Sequence, residues 1–347
     1  MYNIISLFSN FTSKKVSTVM IRIEQYKSGE KLPALMPGIF FHSEQFFHIL
    51  ENSPGIKPVM LVAYDGEEEK GHLLAMLKHD FRIIPPGIHH WCSIYSEGVY
   101  ADKGCDRNEI LSMFIDKLLK ILDFRYTFIE VRYIADTRLT YRTFSKFSFV
   151  PRNDLRIYNS LHSRKPEERL TRAYHSHIRR AKARGVTYRQ ITKREDIEAG
   201  IKMLKKYYVS KVDRYFAPTE LLIKMLTKHE EHTPDTRMFA VYNKDGKMVG
   251  CSICLYSEGR AYMLYSCGLR KSYPLLYPGI MSVWAAIKDA HERGYAHFEF
   301  AVSGTPLNKY RGFKNFLLNF GGKQTGTLRW YRFRWNWVNK ILRKIYV

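Results

Sequence analysis

The apolar positions of this chain fall into two arrangements that occur twice, in the same order. "VMLVAYDGEEEKGHLLAMLKHD", from Val59 to Asp80, is an apolar run, a charged stretch with Asp-Gly, and a second apolar run. That is the pattern of strand, tight turn and strand. "RMFAVYNKDGKMVGCSICLYSEG", from Arg237 to Gly259, has the same layout, with Asn-Lys-Asp-Gly at its turn. After the first hairpin, Ile110, Phe114, Leu118 and Leu122 recur at helical spacing, and Asn108 is placed to cap that helix. After the second, Ile280, Val283, Trp284 and Ile287 form the stripe; Pro278 suits a first turn and Gly294 a stop. Each helix leads into a short strand, "YTFIEVRY" (Tyr126 to Tyr133) and "AHFEFAVS" (Ala296 to Ser303). The shared order, offset by about 170 to 180 residues, predicts a duplicated α/β unit.

Between the repeats, Pro166, Glu167 and Glu168 mark the start of one helix and Gly185 its stop, with Leu170, Tyr174 and Ile178 as its apolar rail. From Arg152 to Arg194 there are thirteen Lys or Arg against three acids. Thr219 to Thr233 leaves room for one short helix. Strand-like "MIRIEQY" opens the first repeat, residues 1–20 look like a loose extension, and Met20 is a second candidate start. At the other end, "RFRWNWVNKILRKIYV" places Trp337, Val338, Ile341, Leu342 and Ile345 on one helical face, against Lys340, Arg343 and Lys344. Such a basic amphipathic helix either lies on a membrane surface or docks on the protein itself. The predicted organisation is an extension (1–20), a first unit (21–160), a second unit with the cleft (161–330) and the basic helix (331–347).

Composition adds a charge argument. The 347 residues are 45% hydrophobic and 26% charged, enough for a sizeable core, and 56 Lys and Arg against 33 Asp and Glu give a net charge of +23. Such a surface attracts polyanions: nucleic acid, anionic lipid or phosphorylated substrates. After Glu299 there is no acid and there are ten Lys or Arg. Five irregularly spaced cysteines imply no disulfide framework, and Cys251 and Cys254 fall on a strand, where positions three apart face opposite ways. No metal site is expected. No stretch reaches the ~18 apolar residues of a spanning helix, and no charged n-region precedes the first apolar stretch, so the expected compartment is the cytoplasm. No Ser-His-Asp, Walker or zinc spacing supports a hydrolase or NTPase.

"SHIRRAKARGV", "YPGIMSVWAAIKDAHERGYAHFEF" and "YRGFKNFLLNFGGK" stand in that order. Together they resemble the Fem-like peptidyl and aminoacyl transferases and the wider double-GNAT N-acyltransferases. The resemblance runs from about Ile21 to Trp330 and is firmest after Pro166. It implies an α/β (α+β) fold of tandem GNAT-like domains, each a mixed, bent sheet flanked by helices, with a cleft where two central strands splay. It also implies transfer of an acyl or aminoacyl group from a CoA thioester or an aminoacyl-tRNA to an amine, with no permanently bound cofactor. The acceptor expected is a phosphorylated or lipid-linked envelope precursor, handled in the cytoplasm or at the inner face of the membrane. The rival class is a non-catalytic basic module that binds nucleic acid or anionic membrane.

The resemblance places the family's signature lysine at Lys314. A cation fixed in a dry aromatic pocket would stabilise the oxyanion that forms when an amine attacks an acyl carbonyl; the alternative is a surface lysine of an aromatic-rich hairpin, lying over Phe313 and Phe316. Gly312, Gly321 and Gly322 would let the backbone turn tightly toward substrate. Arg270 and Lys271, with the helix start near Gly279, could hold donor phosphates, although "LRKSYPLLYPG" replaces the family's Gln/Arg-x-x-Gly-x-Gly/Ala loop. His175, His177, Arg179 and Arg180 would face the acceptor; the two histidines stand where relatives often carry arginine. The long coiled-coil arm of some Fem enzymes is absent. For the general base, Glu299 either points into the cleft or pairs with an Arg, and Tyr310 and Asp213 are further candidates. Tyr262 and Tyr265 are expected in the core.

Overall fold

The computed structural model describes residues 21–79, 90–102, 106–133, 140–208, 216–227, 235–300 and 311–346. The N-terminal extension, Asp213 and Tyr310 lie outside them. The first repeat opens with β1 (Ile21–Lys27) and α1 (Glu44–Glu51), then the hairpin β2 (Ile56–Asp65) and β3 (Glu68–His79). There follow β4 (His90–Tyr95), β5 (Val99–Tyr100), α2 (Arg107–Ile121), β6 (Tyr126–Arg132), α3 (Tyr141–Lys146) and β7 (Val150–Ser160). The connection holds α4 (Pro166–Arg169), α5 (Arg172–Ala183), β8 (Thr187–Ile191), α6 (Arg194–Tyr207) and α7 (Thr219–Thr227). The second repeat is β9 (Asp235–Tyr242), β10 (Met248–Ser257), β11 (Arg260–Gly268), α8 (Pro278–Glu292), β12 (His297–Phe300), α9 (Arg311–Leu318) and β13 (Lys323–Phe333). α10 (Asn336–Tyr346) follows.

One mixed sheet joins both repeats, in the order β1-β2-β3-β4-β6-β13-β7-β12-β11-β10-β9-β8. Within each repeat the hairpin strands are antiparallel and the strands flanking the main helix, β4 with β6 and β11 with β12, are parallel. Helix crossovers produce such parallel pairs. The last strands are exchanged: β13 pairs with β6 of the first repeat, β7 pairs with β12 of the second, and β7 and β13 pair with each other. The halves are thus joined through continuous backbone hydrogen bonding, with Asp154 opposite Thr327 near the centre of the β7–β13 ladder.

Three apolar clusters hold the sheet. One lies under α2 and α3, with Phe114, Phe144 and Trp330 among its members. One lies under α5, α8 and α9, around Trp284, Phe298 and Phe320. The third contains residues of α1, α6 and α7 together with β2 and β10, so both repeats share it.

Two helix boundaries differ from the sequence reading. The cap of α2 is Asp106, whose carboxylate accepts from the N–H groups of Asn108 and Glu109; the Asn108 side chain accepts from Thr143 instead. The single helix expected after Pro166 is broken at Leu170. Thr171 caps α5 by accepting from Tyr174 N–H, which requires extended backbone at the cap. The stop expected at Gly185 is present: α5 ends at Ala183, and Gly185 turns the chain at φ +77°.

Candidate active site

β11 pairs with β12 from Arg260 to Met263 only. From Leu264 to Gly268 it keeps β10 on one side and, among the described residues, has no strand on the other. β11 thus runs on past the described part of β12, which ends at Phe300. In the first repeat, β4 stays paired with β6 along its whole length, from His90–Tyr126 to Tyr95–Arg132. Aromatic side chains pack against this end of β11. Tyr208 hydroxyl accepts from Ser266 N–H (3.3 Å) and Tyr265 hydroxyl from Ala217 N–H (3.2 Å). Burial raises the pKa of both phenols, that of Tyr265 to about 12, so they stay protonated. Tyr262 is fully buried, as the core reading expected.

The first turn of α8 sits over the open end of β11. Two glycines permit this approach: a Cβ on Gly268 would lie 2.2 Å from Gly279 N, and one on Gly250 2.5 Å from Ser282 Oγ. Ser282 Oγ bonds the Cys267 and Pro278 carbonyls (2.9 and 2.8 Å) and fixes the contact. Pro278, at the first helical position, carries no N–H to leave unpaired. Outside this turn a Cβ on Gly279 would meet only open space. The preceding loop carries Arg270 and Lys271, both exposed. A helix start beside two cations is suited to anionic groups.

α5 lies against that loop. The rings of His177 and Tyr277 stack at 4.2 Å, and Arg184 donates to the Leu275 carbonyl (2.6 Å). Tyr277 is left-handed, at φ +49°, a conformation costly for a bulky side chain. Burial, then the Arg180 cation, lowers the His177 pKa and favours the neutral ring. His177 Nδ1 is buried without a hydrogen-bond partner among the described residues. His175, Arg179 and Arg180 are exposed on the same helix.

Lys314 stands on a helix, α9, where an aromatic-rich hairpin was one expectation. It is half-buried and, among the described residues, makes no hydrogen bond or ion pair. α9 packs on α5 through Phe316 and Phe320, whose rings meet Tyr174 at 6.0 and 4.9 Å. The helix ends are also tied: Thr171 N–H donates to the Asn319 carbonyl (3.1 Å). Gly321, at φ +84°, lets the Arg169 carbonyl come where a Cβ would be 2.2 Å away, and Gly322 likewise admits Asn159 Oδ1. These two glycines therefore let the turn after α9 pack closely on the end of α4 and on β7, and Gly312 lies within the helix with free space around it.

Glu299 is committed to the ion-pair arrangement. It is 2% exposed; Arg156 bonds both its oxygens (2.5 and 2.6 Å) and Arg260 bonds Oε1 (2.5 Å). With each oxygen already accepting from a guanidinium, it is not free to take a proton from an acceptor amine, which corrects its assignment as a base. Cys251 and Cys254 belong to different apolar clusters, Cys251 facing Cys267 at 3.6 Å. Among the described residues no group of acids, histidines and cysteines could hold a metal, and no helix is long and apolar enough to cross a membrane.

The site thus gathers His177, Arg270, Lys271 and Gly279 around one helix start, with Lys314 on the neighbouring helix. Sequence reasoning missed Tyr277 and Tyr208. The Tyr-Pro step at the start of α8 marked the first; Tyr208, near the end of an amphipathic helix, carried no signal that separates it from core.

Residues 169–312 match the family model of the acetyltransferase (GNAT) domain. The crystal structure of FemX shares the fold, with 12% identity and a TM-score of 0.61 over 88% of this chain and 94% of that one. The structure of L-PGS from Bacillus licheniformis aligns with 11% identity and a TM-score of 0.54, over 87% of this chain and 96% of that one. A tandem GNAT protein from the clavulanic acid biosynthesis pathway aligns with 9% identity and a TM-score of 0.53, over 90% and 98%. No curated protein sequence matches the chain. Residues 169–312 thus carry the GNAT domain match, and the chain as a whole has the fold of these solved structures. That fold, shared with FemX and the tandem GNAT protein, here joins two α/β repeats in one continuous sheet.

Proposed function

We propose that the second unit is the catalytic one and moves an acyl or aminoacyl group from a CoA thioester or an aminoacyl-tRNA to an amine on a phosphorylated or lipid-linked envelope precursor. The observation that carries this reading is the start of α8 packed on the end of β11 at Gly268 and Gly279, beside the exposed Arg270 and Lys271. A donor entering there would lay its phosphates toward Arg270, Lys271 and the start of α8 and its acyl group toward the aromatic floor at Tyr208 and Tyr265. Both proposed donors are polyanions, which suits the net charge of +23. Lys314 would supply positive charge as the carbonyl oxygen becomes an oxyanion. His177, whose pKa is lowered, is the member of the cluster suited to accept a proton near neutral pH; FemX and L-PGS are the structural neighbours that motivate an envelope acceptor. The division at residues 160 and 161 is part of this reading, with β7 contributed by the first unit to the second.

Thermal shift and native mass spectrometry with acetyl-CoA, a long-chain acyl-CoA and a charged tRNA test the donor. A selective response to one identifies its class. Equal binding of charged tRNA, uncharged tRNA and unrelated RNA, with no response to either CoA ester, would favour the basic nucleic-acid module.

A further inference from the structure

Three strands end at one edge of the sheet. β11 is parallel to β12, β12 is antiparallel to β7, and β7 is antiparallel to β13. β11, β12 and β13 therefore run the same way, and β6, antiparallel to β13, begins where they end. The cleft mouth, with the loop after β11, is at this edge. So are α10, which follows β13, and Phe124, which precedes β6.

Large apolar side chains are exposed along this edge. Trp337, Ile341 and Ile345 stand one turn apart on α10 and are 64%, 50% and 65% exposed. Trp335 and Phe124 are 48% and 76% exposed; Arg334 N–H, just before Trp335, donates to the Thr127 carbonyl (2.9 Å), bringing both to the same strand end. Leu275, on the cleft loop, is 59% exposed. The α10 helix does not use its apolar row to dock. Its other side holds it: buried Asn339 accepts from Phe333 N–H and donates to the Phe333 carbonyl (2.8 and 2.7 Å), and Val338 and Leu342 are half-buried. Arg334, Lys340 and Lys344 are exposed around the apolar row, and no acid occurs in this part of the chain.

We propose that this edge docks on an anionic lipid surface, with α10 lying in the interface and the cleft mouth turned toward the bilayer. Trp and Ile would enter the headgroup–acyl boundary while the lysines stay at the anionic headgroups. The charge favours lipid over a second copy, since two such edges would bring like charges together. The docking stands on α10 and Phe124 alone; the sense given to the cleft rests on the acyl-transfer reading.

The test is co-sedimentation of the full chain with phosphatidylglycerol/phosphatidylcholine vesicles and with phosphatidylcholine alone. The wild type should pellet with the anionic vesicles and progressively less as salt rises. Trp337→Ser/Ile341→Ser/Ile345→Ser should weaken partitioning by roughly ten- to a hundredfold. Lys340→Glu/Lys344→Glu, which touches only exposed side chains, should weaken it for anionic vesicles without altering the circular dichroism spectrum. Wild-type pelleting by both variants, or a wild-type dimer that the triple variant turns into a monomer with no vesicle binding by either, would overturn the docking. For the cleft, Leu275→Trp in a Trp335→Phe/Trp337→Phe background should gain fluorescence quenching by brominated phosphatidylglycerol; an unquenched Trp would overturn the orientation. Donor-dependent thermal shifts need no lipid, so lost docking with a retained shift separates this inference from the acyl-transfer reading.

Discussion

Arg156 and Arg329 occupy equivalent places on the two exchanged strands. Arg156, on β7, binds Glu299 of β12; Arg329, on β13, binds Glu130 of β6 at 3.1 Å and Asp154 at 2.7 Å. In each case the tyrosine two residues further along, Tyr158 or Tyr331, lies directly opposite that glutamate in the ladder. The same Arg-x-Tyr thus meets the same strand glutamate in both halves. The duplication is preserved at the seam that joins them, where buried charges can be satisfied only if each strand crosses to the other half.

Removing one partner from either network should destabilise the fold, because the remaining buried charge loses its compensation. Arg156→Met and Arg329→Met are each expected to cost about 3–5 kcal/mol in chemical denaturation. Glu299→Gln should lower stability while leaving the pH dependence of kcat/KM unchanged in shape. A limb of that profile lost with Glu299→Gln would restore Glu299 as the base.

Gly321→Ala combines a left-handed backbone with a clash against the Arg169 carbonyl, and is expected to cost at least about 1–3 kcal/mol. Gly312→Ala has free space in a helix and should stabilise by roughly 0.5–1 kcal/mol. Equal effects in urea titrations would mean that the turn after α9 is not held against α4 as described.

The paired hairpins, the main helices and the basic α5 were legible because their apolar periods and turn residues are local, although the caps of α2 and α5 were not. α9 also had a local signal: Phe313, Phe316, Leu317 and Phe320 recur at helical spacing, but the flanking glycines suggested a hairpin. The exchange of β7 and β13 was not legible, because alternation along a strand gives its faces and not its neighbour. For the same reason Glu299 could be placed mid-strand from sequence, but its partner Arg156, 143 residues away, could not. At the site, the basic loop and the Pro-started helix were visible. The His177–Tyr277 stack depends on two segments folded together, and neither announces the other.

Acid should weaken the fold partly through His42. Burial, then the neighbouring His72, lowers its pKa to about 3, while Leu74 N–H donates to its Nδ1 (3.0 Å). The unfolded chain binds a proton near pH 6.5 and the folded chain does not, so this contribution is complete above that value and is lost as pH falls toward 3. Between pH 7.5 and 5 it amounts to roughly 2 kcal/mol. Thermal denaturation at those two pH values should show a smaller drop for His42→Asn, which has no proton to gain, than for the wild type.

Lys314 offers the most direct test of the chemistry. Lys314→Met keeps length and apolarity on α9 and removes only the charge, so the fold should survive. If the ammonium meets a developing oxyanion, the loss falls on kcat, by roughly 100- to 1000-fold, because that charge exists only in the transition state. Lys314→Arg should then rescue poorly, since a planar guanidinium does not replace a compact ammonium in a half-buried position. If Lys314 instead holds a donor phosphate, the loss falls mainly on KM and arginine rescues well. The two outcomes separate because a ground-state anion is bound before the chemical step and an oxyanion is not. Full turnover by Lys314→Met on the authentic substrate pair would remove the lysine from the mechanism and leave the His177–Arg270–Lys271 cluster to account for activity.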